Sequence, residues 1–327
     1  MMRADEVAEF AIDPALPPAL PRDGRPAIVT VGTFDGVHSG HWEVLQEICR
    51  RARATGGRSI LVTFHPHPLR VVRPEHAPPL LTTLAEKREV LAESGLEYVV
   101  FIPFTRTLQR YPARRFVEEI LLGRIGMNEL VIGYDHGFGK DREGSVETLR
   151  QIGREIGFAV DVVEAFHAEG EPVSSSRIRR LLAEGDAAAA ARLLGRPYRL
   201  EGVVVRGERK GRELGFPTAN IEVGDPEKML PKEGVYAAYG RVRGERVPGL
   251  LHLGPRPTFP GFAPTIELHL LDWSGDIYGD HVRVEVVDRI RDIRPFATVD
   301  ALVDAIRGDE RDGRRMLGLD GRGGGSR

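Results

Sequence analysis

One cysteine, Cys49, stands in 327 residues, which excludes an intramolecular disulfide framework and any cysteine pair at metal-binding spacing. Lysine is almost as scarce, with five among 46 basic residues. That bias runs through the whole composition and points to no ligand. No apolar run approaches the ~18 residues that a membrane-spanning helix needs. The first residues carry Arg3, Asp5, Glu6 and Glu9 without an apolar stretch, so no secretory signal is expected. An excess of one charge is also missing. The 46 basic and 48 acidic residues leave no field for nucleic acid or for a membrane surface. The expectation is a cytoplasmic protein that meets small metabolites.

What is present reads as globular and two-domain. Hydrophobic residues make up 41% and charged residues 29%, and the length exceeds what one core normally serves. Residues 1–25 are broken by Pro14, Pro17, Pro18 and Pro21 and read as a loose lead-in. From 26 to 194 short Val- and Ile-rich runs alternate with amphipathic stretches. Predicted strands are Ala27–Phe34, Ser59–Phe64, Tyr98–Phe104, Glu129–Gly133 and Ala159–Phe166. Predicted helices include one entered through the capping-box spacing Thr83 to Glu86 and one over Ala113–Gly123. Such alternation implies an α/β domain with a parallel, Rossmann-like sheet, whose ligands bind beyond the carboxyl ends of the strands.

From 195 to 319 the texture changes. Val203–Val205, Val235–Tyr239, Gly249–Leu253, Thr265–Leu271 and His281–Val287 are strand-like runs parted by Gly and Pro turns. They predict an antiparallel β-barrel, followed by a terminal helix over Val299–Ile306. The boundary is placed near Gly195–Tyr198, and residues 320–327, with their glycine triplet, read as a disordered tail.

Two segments carry chemistry. In the first, the strand ending at Val31 runs into Gly32, Phe34, Asp35, Gly36, His38 and His41, with a helix predicted from Ser39. Glycines let the backbone approach a ligand, and a helix start attracts phosphate. His38 and His41, three apart, share one helix face. A second anion site is read at Ser175, Ser176 and Arg179, where hydroxyls open a helix and arginines follow. The plain alternatives are a surface or core histidine pair and ordinary serine caps. Zinc on His38, His41, His65 and His67 is disfavoured, because no cysteine or carboxylate completes the set.

In the second segment, Gly207, Lys210, Gly211, Arg212, Gly215 and Pro217 form a basic glycine turn ahead of Thr218 and Asn220. Such a turn can wrap nucleotide phosphates through backbone amides. If the chain is extended there, Thr218 and Asn220 lie on one face and offer the hard oxygens that Mg²⁺ prefers. The alternative is a loop in which Asn220 only hydrogen-bonds locally. For Glu267, further on, the alternative is a strand carboxylate paired with a neighbour such as Arg283.

The residues of both segments resemble a known family. His38 to His41, with Ser174–Arg179, resembles the HxGH and ISSTxIR patterns of nucleotidyltransferases. Thr63–Pro68 and Val131–Gly139 narrow that likeness to the FMN adenylyltransferase module of prokaryotic bifunctional riboflavin kinase/FAD synthetases. Gly211–Asn220 is similar to the riboflavin kinase signature GRxLGFPTAN at every fixed position. Arg256–Phe259, Thr265–His269 and Asp276–Gly279 follow in the same order.

The resemblance implies phosphorylation of riboflavin to FMN and adenylylation of FMN to FAD, both from ATP with Mg²⁺. It implies that His38 and His41 hold phosphates in the transition state of the second reaction. Gly32, Phe34, Asp35, Gly36, Ser175, Ser176 and Arg179 would bind its nucleotide, and His65, Pro66, His67 and Asp135 would line the FMN side. In the kinase half it makes Glu267 the base, Thr218 and Asn220 the metal-nucleotide ligands, and Arg291 and Phe296 flavin contacts. The family has Thr at the place of Ser176, and an aromatic residue then Arg at the place of His136 and Gly137. Between Arg291 and Phe296 its usual charged residues are replaced. Two further readings stand beside this one: a kinase whose first domain adenylylates poorly, and a flavin-sensing protein without turnover.

Overall fold

The computed structural model describes residues 20–134, 144–207, 210–255 and 265–319. The chain divides into two compact units, the first ending at Ser175 and the second beginning at Ser176.

The first unit is built on five parallel strands in the order β3-β2-β1-β4-β5. These are β1 (Ala27–Val31), β2 (Arg58–His65), β3 (Tyr98–Pro103), β4 (Met127–Gly133) and β5 (Ala159–Val163). β1 is buried at every residue, which explains the absence of a polar alternation in its sequence. Successive side chains enter opposite faces. Ile28 packs with Val44, Leu45 and Ile48 of helix α1 (Ser39–Thr55), whereas Val29 and Val31 pack with Phe116, Ile120 and Leu149 on the other side. Gly56 closes α1 in the left-handed conformation. Arg51 ties α1 to the sheet, donating to Glu47, to Glu129 on β4 and, at 2.5 Å, to Asp161 on β5.

The connections carry α2 (Pro68–Val72), α3 (Leu84–Ala92), α4 (Arg106–Gln109), α5 (Ala113–Phe116) and α6 (Val146–Ile156). α3 opens on the expected capping box, with Thr83 and Glu86 exchanging hydrogen bonds. The expected helix over Ala113–Gly123 is corrected: α5 widens into π-helical turns over Val117–Ile125, and the left-handed stop is Gly126. Leu20 is buried and its N–H donates to Arg124 O at 2.9 Å, so this part of the lead-in packs on those turns. A small hairpin, β6 (His167–Ala168) and β7 (Glu171–Pro172), precedes α7 (Ser175–Glu184).

In the second unit, α8 (Ala187–Leu194) leads into β8 (Tyr198–Val205), β9 (Ala219–Glu222), β10 (Gly234–Val242), β11 (Glu245–Gly254), β12 (Thr265–Leu270) and β13 (His281–Arg291). The six strands close as an antiparallel barrel in the order β10-β11-β12-β9-β8-β13. A one-turn helix, α9 (Lys210–Glu213), precedes β9. Four of these strands, β8, β10, β11 and β13, outrun the sequence reading, and β9 is not among its strand-like runs. β8 starts at Tyr198, since Tyr198, Leu200, Gly202 and Val204 alternate inward, and β13 runs on to Arg291, which pairs with Val235. The terminal helix α10 spans Val299–Met316, not Val299–Ile306. Its second half lies close to the barrel because Gly313 has no side chain: a Cβ there would come within 2.5 Å of Leu250.

Candidate active sites on the two units

Strand order reverses about β1 in the first unit, between the β2–β3 and β4–β5 sides, which is where a parallel sheet opens a ligand crevice. The loop from β1 to α1 lies there. His38 is the N-cap of α1, and its Nδ1 accepts from the His41 N–H at 3.3 Å. The two rings stack with centroids 3.6 Å apart, and the Phe34 ring lies 4.6 Å from His41. His38 is 5% exposed. Phe34 and Val37 both hold positive φ, at 46° and 40°, a strained backbone for side-chain-bearing residues that clusters at functional loops.

The loop is braced from three directions. The Asp35 carboxylate accepts from the N–H groups of Leu81 and Thr82 and from the Thr82 hydroxyl. Gly36 N–H donates back to Thr82 Oγ1 at 3.1 Å. Thr63 Oγ1 and Lys87 Nζ both donate to Thr33 O, at 3.1 and 2.8 Å. Ser175 Oγ donates to Asp35 O at 2.9 Å, so this serine from the Ser-rich motif meets the histidine loop directly. Ser176 and Arg179 follow it along α7. Lys87 is a residue that sequence reasoning missed. A lysine one place after a capping-box glutamate looks like a solvated helix face, yet it is 8% exposed and burial pushes its amine below the usual range, against the pull of the Asp35 carboxylate.

His65 ends β2 at the same carboxyl edge of the sheet, with Pro66 after it and His67 capping α2 by accepting from Leu69 N–H at 3.2 Å. Asp135, His136 and Gly137 lie outside the described residues.

In the barrel, β9 brings Asn220 into register with Glu267 on β12 and with Val205 on β8. Glu267 is 7% exposed. Its Oε2 accepts from the Thr218 hydroxyl at 3.0 Å and its Oε1 from the Thr265 hydroxyl at 2.6 Å. The Arg283 guanidinium, the neighbour named in the alternative reading, donates to Glu201 on the neighbouring strand at 2.5 Å. Gly207 is what lets Asn220 reach inward, since a Cβ at 207 would sit 2.1 Å from the Asn220 amide nitrogen. The turn between Gly211 and Phe216 is closed by Phe216 N–H donating to Gly211 O at 2.8 Å, with Gly215 at φ 90°. Lys210 and Arg212 stand on α9 within this turn, and Pro217 leads out of it to Thr218.

A pocket opens beside these groups, lined by Phe216, Thr218, Glu267, Arg291, Phe296 and Asp309 among others. Both residues read as flavin contacts are on its wall. Arg291 is itself held by Asp309 through two bonds of 2.7 Å, and its guanidinium lies 5.5 Å from the Phe296 centroid. Arg256–Phe259 lies outside the described residues. Among the described residues no group of three or more His, Cys, Asp or Glu is placed to hold a metal ion. A cation at the barrel site would rest on a hydroxyl oxygen, an amide oxygen and its own nucleotide. Thr218, bonded to Glu267, and Asn220, in register with it, fit that description as hard-oxygen donors of the kind Mg²⁺ accepts.

Known proteins show the same two-part pattern. The FAD synthetase family matches residues 20–177, and the riboflavin kinase family matches residues 194–317. The bifunctional riboflavin kinase/FMN adenylyltransferase of Escherichia coli (strain K12) is 37% identical over 91% of this chain and 95% of its own. The protein so named from Bacillus subtilis (strain 168) is 32% identical over 89% of this chain and 92% of its own. A crystal structure described as a macrolide-efflux protein from Streptococcus pneumoniae shares 30% identity, with a TM-score of 0.81 over 89% of this chain and 94% of that one. With its pair of stacked histidines at a sheet edge, its buried carboxylate in a closed barrel, and relatives aligned along nearly its whole length, the chain belongs to the bifunctional riboflavin kinase/FMN adenylyltransferase family.

Proposed function

We propose that the chain converts riboflavin to FMN in its barrel and FMN to FAD at the edge of its parallel sheet, using ATP in both steps. The observation that carries this reading is the Thr218–Glu267–Asn220 cluster beside an apolar-walled pocket. A site that only bound flavin would have no use for a buried carboxylate held by two hydroxyls at the pocket wall.

In the kinase reaction the riboflavin 5′-hydroxyl attacks the terminal phosphorus of ATP and ADP leaves. A free glutamate has a pKa of about 4.3, far below that of an alcohol. Glu267 therefore acts by orienting the hydroxyl and taking its proton late, as the new P–O bond forms. Thr265 and Thr218, one on each carboxylate oxygen, fix its plane. The turn of Gly207, Lys210, Gly211, Arg212, Gly215 and Pro217 offers the nucleotide backbone amides and positive charge. Thr218 and Asn220 would hold Mg²⁺, which when bound neutralises charge on the nucleotide phosphates.

In the adenylyltransferase reaction the FMN phosphate attacks the α-phosphorus of a second ATP and pyrophosphate leaves. No covalent link to the protein is needed, so catalysis is alignment and charge stabilisation. His38 and His41 are assigned to the phosphoryl oxygens, helped by the helix start on which they stand. Ser175, Ser176 and Arg179 are assigned to the ATP phosphates, and His65, Pro66 and His67 to the FMN side. The braces on Asp35 and Thr33 keep the loop in place before substrate arrives. The compartment this chemistry implies is the cytoplasm, where ATP is held.

One assay tests the reading. Protein is given riboflavin with Mg-ATP and, separately, FMN with Mg-ATP, and the flavins are resolved by chromatography. FMN from the first and FAD from the second are expected. FMN without FAD would leave a kinase alone, and no product from either would sink the proposal.

A further inference from the structure

His269 has no role in the reactions as described, yet it stands two residues beyond Glu267 on β12, on the same face of the strand, and lines the same pocket. Its ring is enclosed, with the side chain 12% exposed. Nδ1 lies 2.7 Å from Pro217 O, and Nε2 lies 3.1 Å from Glu310 Oε1 on α10. Phe216 meets the ring edge-on, with centroids 5.9 Å apart.

The two neighbours of the ring are a main-chain carbonyl oxygen and a carboxylate oxygen, one at each ring nitrogen. The two contacts reach different machinery. Pro217 precedes Thr218, whose hydroxyl donates to Glu267 at 3.0 Å. Glu310 belongs to the helix that gives Leu302, Ile306 and Asp309 to the pocket wall. We infer that His269 is a positioning residue of the kinase site: one ring nitrogen seats the chain that carries Thr218, and the other seats the terminal helix against the flavin pocket. The inference rests on the kinase assignment above.

Each half of the ring has its own amide mimic. An asparagine amide nitrogen falls near Nδ1 and can keep the bond to Pro217 O. A glutamine amide nitrogen falls near Nε2 and can keep the bond to Glu310. The full-length protein, as wild type and as His269→Ala, His269→Asn and His269→Gln, is assayed for FMN formation. FAD formation from FMN is measured on each preparation as a control for the rest of the chain.

Losing either hydrogen bond is expected to be worth about tenfold. His269→Ala lowers kcat of FMN formation and raises KM for riboflavin, each by about that factor. His269→Asn recovers kcat but keeps the raised KM, and His269→Gln recovers KM but keeps the lowered kcat. FAD formation stays within roughly twofold throughout, as expected when the two sites are carried by separate units. The inference is overturned if His269→Ala matches the wild type, or if the Asn and Gln variants are indistinguishable from each other, which is what a purely structural role would give. Should the alanine variant fail to fold, the Asn and Gln pair still decides. Wild-type protein that makes no FMN would instead condemn the kinase assignment itself.

Discussion

The hydroxyl of Thr218 donates to Oε2 of Glu267 at 3.0 Å, across a strand pair in which Asn220 stands directly opposite the same glutamate. Substitution by an isosteric amide separates charge from shape. Glu267→Gln keeps the volume and one acceptor, but it cannot take a proton from an alcohol. FMN formation is expected to fall by about a hundredfold or more, the range of general-base losses, while FAD formation from supplied FMN is unchanged. Loss of both activities in folded protein would contradict two separate sites.

The stacked pair His38 and His41 makes the opposite prediction. His41→Ala removes a ring 3.6 Å from its partner and leaves the His38 cap on α1 able to form with the backbone of residue 41. On the proposed assignment of His41 to the phosphoryl oxygens, its removal is expected to lower FAD formation by about 10²–10³-fold. Riboflavin phosphorylation by the same sample is expected to be unaffected. The two rates are compared on one preparation whose thermal unfolding matches the wild type, because the kinase rate does not report on folding of the first unit.

Much of this was legible in the sequence, for physical reasons that can be named. A run such as Ala27–Val31 has no polar alternation because both of its faces are covered, so it reads as a central parallel strand. The helix predicted from Ser39 begins there, since glycines and histidines precede an apolar-periodic stretch. Contacts made by side chains over long loops were not legible. Asp35 reads as a ligand to nucleotide, and only the fold shows its carboxylate receiving the amides of residues 81 and 82. Nothing in the sequence singles out Lys87, and only the approach of the Thr33 carbonyl, 54 residues earlier, explains its burial. The π turns over Val117–Ile125 were not legible either, since Ala113–Gly123 reads as one helix ending in a glycine.

Lys87 gives a prediction in pH. Burial lowers its amine below the 10.5 of a free lysine, with Asp35 opposing the shift. At pH values below the lowered native pKa both native and unfolded chains carry the proton, and the full penalty of burying it is present. Between that value and 10.5 the native protein sheds the proton while the unfolded chain keeps it, so stability rises with pH in that window. Lys87→Met cannot titrate. The urea-midpoint difference, wild type minus Lys87→Met, is therefore expected to be larger at about pH 9.5 than at about pH 7. A flat or falling difference would mean that the amine keeps an ordinary affinity for its proton.

Arg291 holds the other wall of the barrel pocket, and its geometry forbids exchange with lysine. Its Nε and one terminal nitrogen each lie 2.7 Å from an oxygen of Asp309, a carboxylate only 5% exposed. A lysine ammonium is a point donor that cannot span both oxygens. Arg291→Lys therefore leaves one oxygen of a buried carboxylate without its charge-assisted bond, a loss of about 1.5–3 kcal/mol. Part of that loss is expected as lower thermal stability of the barrel and part as a several-fold rise in KM for riboflavin, because Asp309 and Phe296 share the pocket wall. The rate at saturating riboflavin should change little, since Glu267 and Thr218 keep their own contact. If KM holds while kcat collapses, Arg291 acts on the transferring phosphate and not on the flavin wall.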